Sequence, residues 1–453
     1  MMGDRSVMQE ALFYEFSLER HVPSDHLLRS IDRFVDLSGI RAHLRPFYSD
    51  IGRPSIDPEL MIRMLIAGYC FGIRSERRLC EEVHLNLAYR WFCRLGLDGD
   101  VPDHSTFSKN RHGRFRDSDL MRELFETTVR RCIEEGLVGG EGFAVDASLI
   151  RADANKQRSA EGSEPVDWKA LAETRRSVQE YLDTLDDAAW GAASEVKPKF
   201  VSRSDPAAQW TGALKGHAFF AYATNYLIDM DHAVIVDVEA SRAIRQAEVG
   251  AARTMIDRTQ DRFGLWPERL AADSAYGSAE NLAWLVHDRG IEPHIPVFDK
   301  SERRDGTFER TDFAYDHDRD IYVCPAGKAL TCTGTLVNDG ATLLYRASKL
   351  DCDVCPMKRR CCPKTPARKV PRSIYEGARD MARDIARSDE GRTSRRLRKK
   401  VEMLFAHLKR ILRLDRLRLR GPNGARDEFH LAAAAQNLRK LAKLIPHHEP
   451  RPA

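Results

Sequence analysis

The feature that most constrains this chain is one acid set where an apolar residue is expected. From Gly142 the sequence runs Phe143-Ala-Val-Asp-Ala-Ser-Leu-Ile150, an apolar stretch of strand length with Asp146 at its centre. A carboxylate in such a strand is costly to bury unless it keeps its proton, gains a partner or binds a metal. The chain must therefore build a sheet around this strand and give Asp146 something to face.

Two further acids have related settings. Arg269-Leu-Ala-Ala-Asp273 reads as a strand closed by Asp273, followed by the turn Ser274-Ala-Tyr-Gly277. The junction of strand and loop is where α/β proteins usually place chemistry. A plain turn or cap role competes with this reading for either Asp. Glu402 lies on a helix read over 394–412, where Leu397, Val401, Leu404 and Leu408 make the apolar stripe. Glu402 stands at the edge of that stripe. Arg398, one turn before it, and Lys409, two turns after it, share its face. Such an acid can hold a metal while the bases hold phosphates; the competing reading is an ordinary Arg398–Glu402 ion pair. Asp146, Asp273 and Glu402 together supply the oxygen ligands that Mg²⁺ (or Mn²⁺) takes alongside water and phosphate. Two such ions about 3.5–4 Å apart suit in-line phosphoryl displacement.

The surrounding pattern sets the fold class. Residues 1–140 read as all-helical, with Asp57-Pro58-Glu59 and Ser75 as helix starts and a third helix over Ala88–Leu95. A short helix begun by Asp103 or Ser105 is expected to expose Thr106, Lys109, Asn110 and Arg111. Small helices ending in a polar, basic one suit a helix-turn-helix-like DNA reader, with Lys109 and Arg111 as contacts. Residues 156–200 read as polar loop with a helix near Trp168–Leu185. The apolar runs Ala218–Ile228 and Ala233–Glu239, separated by Asp229-Met-Asp-His232, signal a hairpin. A helix over Ala243–Arg262, the Asp273 strand, a helix over Ala279–Asp288 and a strand over Ile291–Val297 complete a mixed α/β sheet. Residues 300–375 interrupt it with charged, Cys-rich sequence. The Glu402 helix and a last helix over Phe429–Leu444 precede a Pro/His tail. This gives a helical region 1–140, a sheet region 141–299, an insertion 300–375 and a C-terminal part 376–453.

Net charge is only +4, but its distribution is uneven. Between Arg392 and Arg420 twelve basic residues, among them Arg395, face only Glu402 and Asp415. That density points to a polyanionic partner, most simply nucleic acid, against the plainer reading of a solvated helix face.

Six of the ten cysteines lie between Cys324 and Cys362. Cys352-x2-Cys355-x5-Cys361-Cys362 follows Cys324 and Cys332. With no secretion signal, such a cluster suggests a metal site before disulfides. Cys324, Cys352, Cys355 and Cys361 are the expected zinc ligands, with Cys332 or Cys362 as substitutes. An iron–sulfur cluster and metal-free thiols are the alternatives. The opening residues lack the features of a signal peptide, and no apolar run reaches the length of a membrane span, so a cytoplasmic protein with no membrane partner is expected.

The three acidic regions, in order, resemble the signature regions of DDE transposases from bacterial insertion sequences. The third, Arg398-x3-Glu402-x6-Lys409, matches that family's Tyr-x2-Arg-x3-Glu-x6-Lys signature except that Arg395 stands in place of Tyr. The helical N-terminal region resembles the same group's N-terminal domain. The Cys-rich insertion and Ala432-Ala-Ala-Ala-Gln-Asn-Leu-Arg-Lys440 resemble the branch named for insertion sequence eleven-eighty-two. The resemblance covers nearly the whole chain. It implies an RNase H-like core with Asp146 on the first strand, Asp273 at the end of the fourth and Glu402 on a later helix. It implies a bacterial, nucleoid-associated enzyme that cleaves the ends of its element and joins them to target DNA with two metal ions. Its partners would be double-stranded DNA, as terminal inverted repeats and target, and a second copy of itself. Arg398 and Lys409 would contact DNA near the scissile phosphate. A catalytically silent DNA-binding relative and a structure-selective nuclease are the competing functions.

Overall fold

The computed structural model describes residues 16–52, 55–184, 198–212, 216–299, 303 and 305–445. Residues 1–15, the tail after Ile445 and Leu185, the expected end of the Trp168 helix, lie outside them.

The strand carrying Asp146 is the centre of the main sheet. This strand, β1 (Gly142–Arg151), pairs antiparallel with β5 (Phe219–Asp229), from Phe143 opposite Asp229 to Arg151 opposite Ala221. On its other side β7 (Arg269–Ala271) runs parallel, and β8 (Glu292–His294) runs parallel beside β7. The outer edge of β5 is covered by β6 (Ile235–Arg242) and, beyond it, by β4 (Gln209–Thr211). The order is thus β6/β4–β5–β1–β7–β8, four strands joined antiparallel and three in parallel, with β1 common to both. The hairpin between β5 and β6 is fixed by Asp229. One carboxylate oxygen accepts from the amides of Asp231 and His232, and the other from those of Gly139 and Gly140. A ribbon of β2 (Ser159–Glu161) and β3 (Phe200–Ser202) stands apart.

The helical starts fall where the sequence places them. Helix α1 (Pro58–Cys70) begins with the Asp57 carboxylate accepting from the Glu59 amide, and α2 (Glu76–Leu85) with the Ser75 hydroxyl accepting from that of Arg78. The third helix is shorter than its pattern, Leu87–Phe92. Asn86 caps it, and Arg94 turns left-handed at φ 59°. Helices α3 (His104–Asn110), α4 (Leu120–Glu134), α5 (Arg176–Asp183) and α6 (Arg245–Phe263) follow.

After β8 the chain builds a second, wholly antiparallel sheet. Its strands β9 (Ala314–Asp316), β10 (Ile321–Val323), β11 (Ala329–Val337), β12 (Thr342–Ala347) and β13 (Lys369–Ser373) lie in the order β13–β12–β11–β10–β9. It closes its own small core of Phe313, Tyr322, Leu330, Tyr345 and Val370. The sequence reading assigned this region only charge and cysteines. Helix α7 (Glu376–Arg387) then leads into α8 (Asp389–Arg410), the Glu402 helix. The corner between them needs Gly391, where a Cβ would fall 1.9 Å from the Ile385 carbonyl oxygen. The buried carboxylate of Glu376 gathers Arg310, Arg379 and Arg383, tying the second sheet's approach to this corner.

The last helix, α9 (Gly421–Leu444), starts eight residues before the sequence pattern suggests, with Pro422 in its first turn. It packs on α1, α4, α5 and β6. A continuous apolar core joins Leu65 and Phe125 of the helical region, Val145 and Tyr226 of the sheet and Phe429 of α9. The chain is therefore mixed α/β with a helical N-terminal region. Among the described residues no helix is long and apolar enough to cross a membrane.

Candidate active site

The sheet register sets Asp146 and Asp273 side by side. Ala144 of β1 pairs with Ala271 of β7 in parallel, so Asp146, two residues on along β1, has its counterpart in Asp273, two residues past the end of β7. Adjacent strands lie about 4.8 Å apart. β7 ends at Ala271, and Asp273 uses one oxygen to accept from the Ala275 amide (2.7 Å), capping the short turn Ser274–Tyr276. Asp273 thus combines the cap role with a place beside Asp146. The turn is held against the loop beyond β8 at Gly277, where a Cβ would lie 2.1 Å from the Pro296 carbonyl oxygen.

Helix α8 packs across β1, β7 and β8. Val401, Leu404 and Leu408 are buried beneath it, as the stripe predicts. Phe405 contacts the Tyr226 ring (5.4 Å between centroids), and Tyr226 is the residue paired with Asp146 across the sheet. Lys400 donates to the carbonyls of Met230 and Asp231 in the hairpin turn. These contacts seat α8 so that Glu402, exposed, lies near enough for its charge to act on Asp146.

The electrostatics record the grouping. Burial pushes the Asp146 carboxyl up to about 6, and the charges of Asp273 and Glu402 add to the rise. The Ala147 amide, at 2.8 Å, and the Arg398 guanidinium oppose it. The sequence reading missed a fourth acid, Glu248, in the first turn of α6. Burial pushes it up to about 7, with Asp273 and Asp146 adding to the rise and Arg245 opposing it. Arg245 fastens this helix start to the Asp273 turn by donating to the carbonyls of Ser274 and Ala275. The buried Tyr276 hydroxyl is held far above its ordinary range by burial and by Glu248, Asp146 and Asp273. Glu248 in sequence resembles any acid near a helix start; only the packing of α6 on the sheet reveals it.

The expected phosphate-binding residues divide. Arg398 is half-buried, with its charge acting on Asp146. Lys409 is half-buried too, but burial alone lowers its ammonium, with no carboxylate contributing. Arg395 is exposed and donates to the Ala386 carbonyl (2.9 Å) at the end of α7. Lys109 is exposed on α3. Two residues at the end of that helix correct the expectation. Asn110 is buried, and Arg111 is only 2% exposed, bonded to Tyr69 (2.8 Å) and Glu76 (3.1 Å). At this position the chain folds back on α1 and α2, and a guanidinium joining those helices cannot serve as a surface contact.

The cysteine cluster is also sorted by the fold. Cys324, Cys352, Cys355, Cys361 and Cys362 line one cavity of about 30 Å³. Cys332 does not; its sulfur accepts from the Gly334 amide on β11. All ten cysteines are free thiols. Burial pushes Cys361 up to about 11, with Cys362 and Cys352 adding to the rise.

Among the described residues, no group of three or more His, Cys, Asp or Glu side chains is arranged to hold a metal ion as it stands. The donor chemistry of both clusters nonetheless fits. The first is all carboxylate and raises its own proton affinity by mutual repulsion, which a hard divalent cation would reverse. The second is all thiol around a space suited to one ion.

Comparison with known families adds two matches. Residues 16–113 match the family described as Transposase domain (DUF772). Residues 323–442 match the family described as Transposase DDE domain. Both matches are to transposase domains. They support a DNA transposase of the DDE type, a family that generally uses divalent metal ions and acts on DNA. The first match spans the N-terminal helices through α3. The second runs from β10 through the Glu402 helix into α9, so it contains Glu402 and the cysteine cavity but neither Asp146 nor Asp273.

Proposed function

We propose that this chain cleaves the ends of an insertion sequence and joins them to target DNA, with Asp146, Asp273 and Glu402 as its catalytic carboxylates. The observation that carries the reading is the convergence of three elements, with Asp273 just past β7 beside β1 and the Glu402 helix packed across both, near enough for their charges to raise the Asp146 carboxyl. A sheet of order β6–β5–β1–β7–β8, antiparallel on one side of β1 and parallel on the other, supports reading the core as RNase H-like. These three acids would hold two divalent cations, Mg²⁺ or Mn²⁺, with Glu248 behind them. The cations supply activation of the attacking oxygen and stabilisation of the leaving one. Arg398 holds positive charge beside the acids and is the residue placed to meet a phosphate there. Arg395, Lys409 and Lys109 are proposed DNA contacts farther out. Pairing two element ends calls for a homodimer. The cysteine cavity, with zinc held by Cys324, Cys352, Cys355 and Cys361 and Cys362 at hand, would brace the second sheet. That cavity and the Ala432–Lys440 segment support the branch named for insertion sequence eleven-eighty-two.

The test is incubation of the purified chain with labelled DNA carrying the flanking ends and Mg²⁺, beside Glu402→Gln. The wild type should cut and join the ends. The variant should bind equally and lose far more than the ~10–100-fold that removing a supporting partner of a metal ligand costs. If both bind and neither cuts under Mg²⁺ or Mn²⁺, the chain is a DNA-binding relic.

A further inference from the structure

Beyond the Glu402 helix the chain becomes an extended strip with two faces. Leu412, Leu414, Leu417 and Leu419 are buried, while Arg413, Asp415, Arg416, Arg418 and Arg420 are exposed. The strip is pinned to the end of β1, where the Leu417 amide donates to the Arg151 carbonyl (2.7 Å). Facing it is the loop before α2 in the N-terminal helical region. Gly72 approaches so closely that a Cβ would lie 2.7 Å from the Ile411 carbonyl oxygen, and Arg74 donates to the Arg413 carbonyl (3.4 Å).

Between these walls lies a groove of about 540 Å³, lined by Arg74, Arg78, Arg413, Arg416 and Arg418. Among the described residues Glu82 and Asp415 are its only acids. Arg74 is committed to Glu428. Arg78 pairs with Glu82 (3.1 Å) and Arg416 with Asp153 (2.8 Å), solvent-accessible pairs of the kind worth about 0–1 kcal/mol and readily exchanged for phosphate. Among the described residues the side chains of Arg413 and Arg418 have no ion-pair or hydrogen-bond partner. Guanidinium groups held in a groove this polar suit phosphate oxygens better than any apolar ligand.

We infer that this groove clamps the sugar–phosphate backbone of duplex DNA, with the N-terminal helical region as one wall and the strip after Glu402 as the other. The inference rests on the proposed transposase reading. Arg151, where the strip is pinned, lies five residues from Asp146, roughly 16 Å along the strand. At one phosphate per about 3.4 Å of each DNA strand, a backbone running alongside β1 would meet the clamp roughly five nucleotides from the carboxylates. It grips whatever sequence lies there, because phosphate contacts carry no base information.

The experiment is a salt series of DNA binding by anisotropy, using the full chain with one duplex carrying the flanking ends and one scrambled duplex. The variant is Arg413→Asn with Arg418→Gln, since Arg413 is left-handed (φ 55°) and Asn tolerates that conformation. Losing two phosphate contacts should flatten the slope of log K against log salt by about 1.8, equally for both duplexes. Arg413→Lys with Arg418→Lys should keep the slope. An unchanged slope in a variant that melts like wild type overturns the clamp, as does a loss confined to the flanking-end duplex. If the wild-type chain binds neither duplex, the transposase reading itself fails.

Discussion

Glu428 offers a quantitative test of how the helical region is joined to the catalytic side. Its side chain is fully buried. One oxygen accepts from the amides of Arg418 and Leu419, both at 2.6 Å, and the other pairs with Arg74, whose side chain is only 4% exposed. Glu428→Gln retains the first oxygen and sets an amide NH₂ against the guanidinium. It thereby isolates the charge from the backbone contacts. Stranding one partner of a buried pair costs about 3–5 kcal/mol, against a total stability on the order of 5–15 kcal/mol. Urea unfolding followed by circular dichroism should show that loss as a lower midpoint at unchanged slope, the slope times the midpoint shift giving the energy. Arg74→Met combined with Glu428→Gln removes the stranded cation and should recover most of the loss. A single variant within about 0.5 kcal/mol of wild type, the range of an ordinary surface substitution, would refute the buried charge pair. A double variant no better than the single would show that the backbone contacts, not the charges, carry the joint.

Two further outcomes are expected. Burial pushes the Asp205 carboxyl from 3.8 up to about 7, against the opposing Tyr222 hydroxyl and Gly421 amide. The folded state therefore holds this proton where the unfolded chain releases it, so Asp205's contribution must fall as pH rises from about 4 to 7, by about 4 kcal/mol at most. Asp205→Asn, with its amide in place of the proton, should remove that part of the slope in urea midpoints measured from pH 5 to 8; an unaltered slope counts against a protonated Asp205. Separately, elemental analysis of chain purified without chelator should find one zinc, lost in Cys352→Ser and Cys361→Ser and kept in Cys332→Ser. Metal-free wild-type protein would exclude the cysteine site.

Much of the candidate site was legible in sequence because each of the three proposed acids interrupts a strong local pattern. Asp146 breaks an apolar strand, Asp273 ends one, and Glu402 edges a stripe of leucine and valine. What brings them together is tertiary. The parallel register that brings Asp273 beside Asp146, and the Phe405–Tyr226 contact that seats α8, have no signature of their own. Glu248 was invisible for the same reason. Arg111 misled because a basic residue at the end of a short polar helix looks solvent-facing, and only the fold shows α1 and α2 closing over it. The second sheet was overlooked because charge and cysteines drew attention from alternation that was present. In β12, Thr342-Leu-Leu-Tyr-Arg-Ala347, Tyr345 is buried and Arg346 exposed.

The placement of α9 has a consequence for how the molecule comes into being. The helix follows α4 by roughly 290 residues along the chain, yet it packs against α1, α4 and strand β6. At about 5–20 residues per second, the apolar faces of α1 and α4 wait on the order of tens of seconds for their cover. That apolar surface stays open to water for the whole interval, and a chain cut short before Gly421 would keep it open for good.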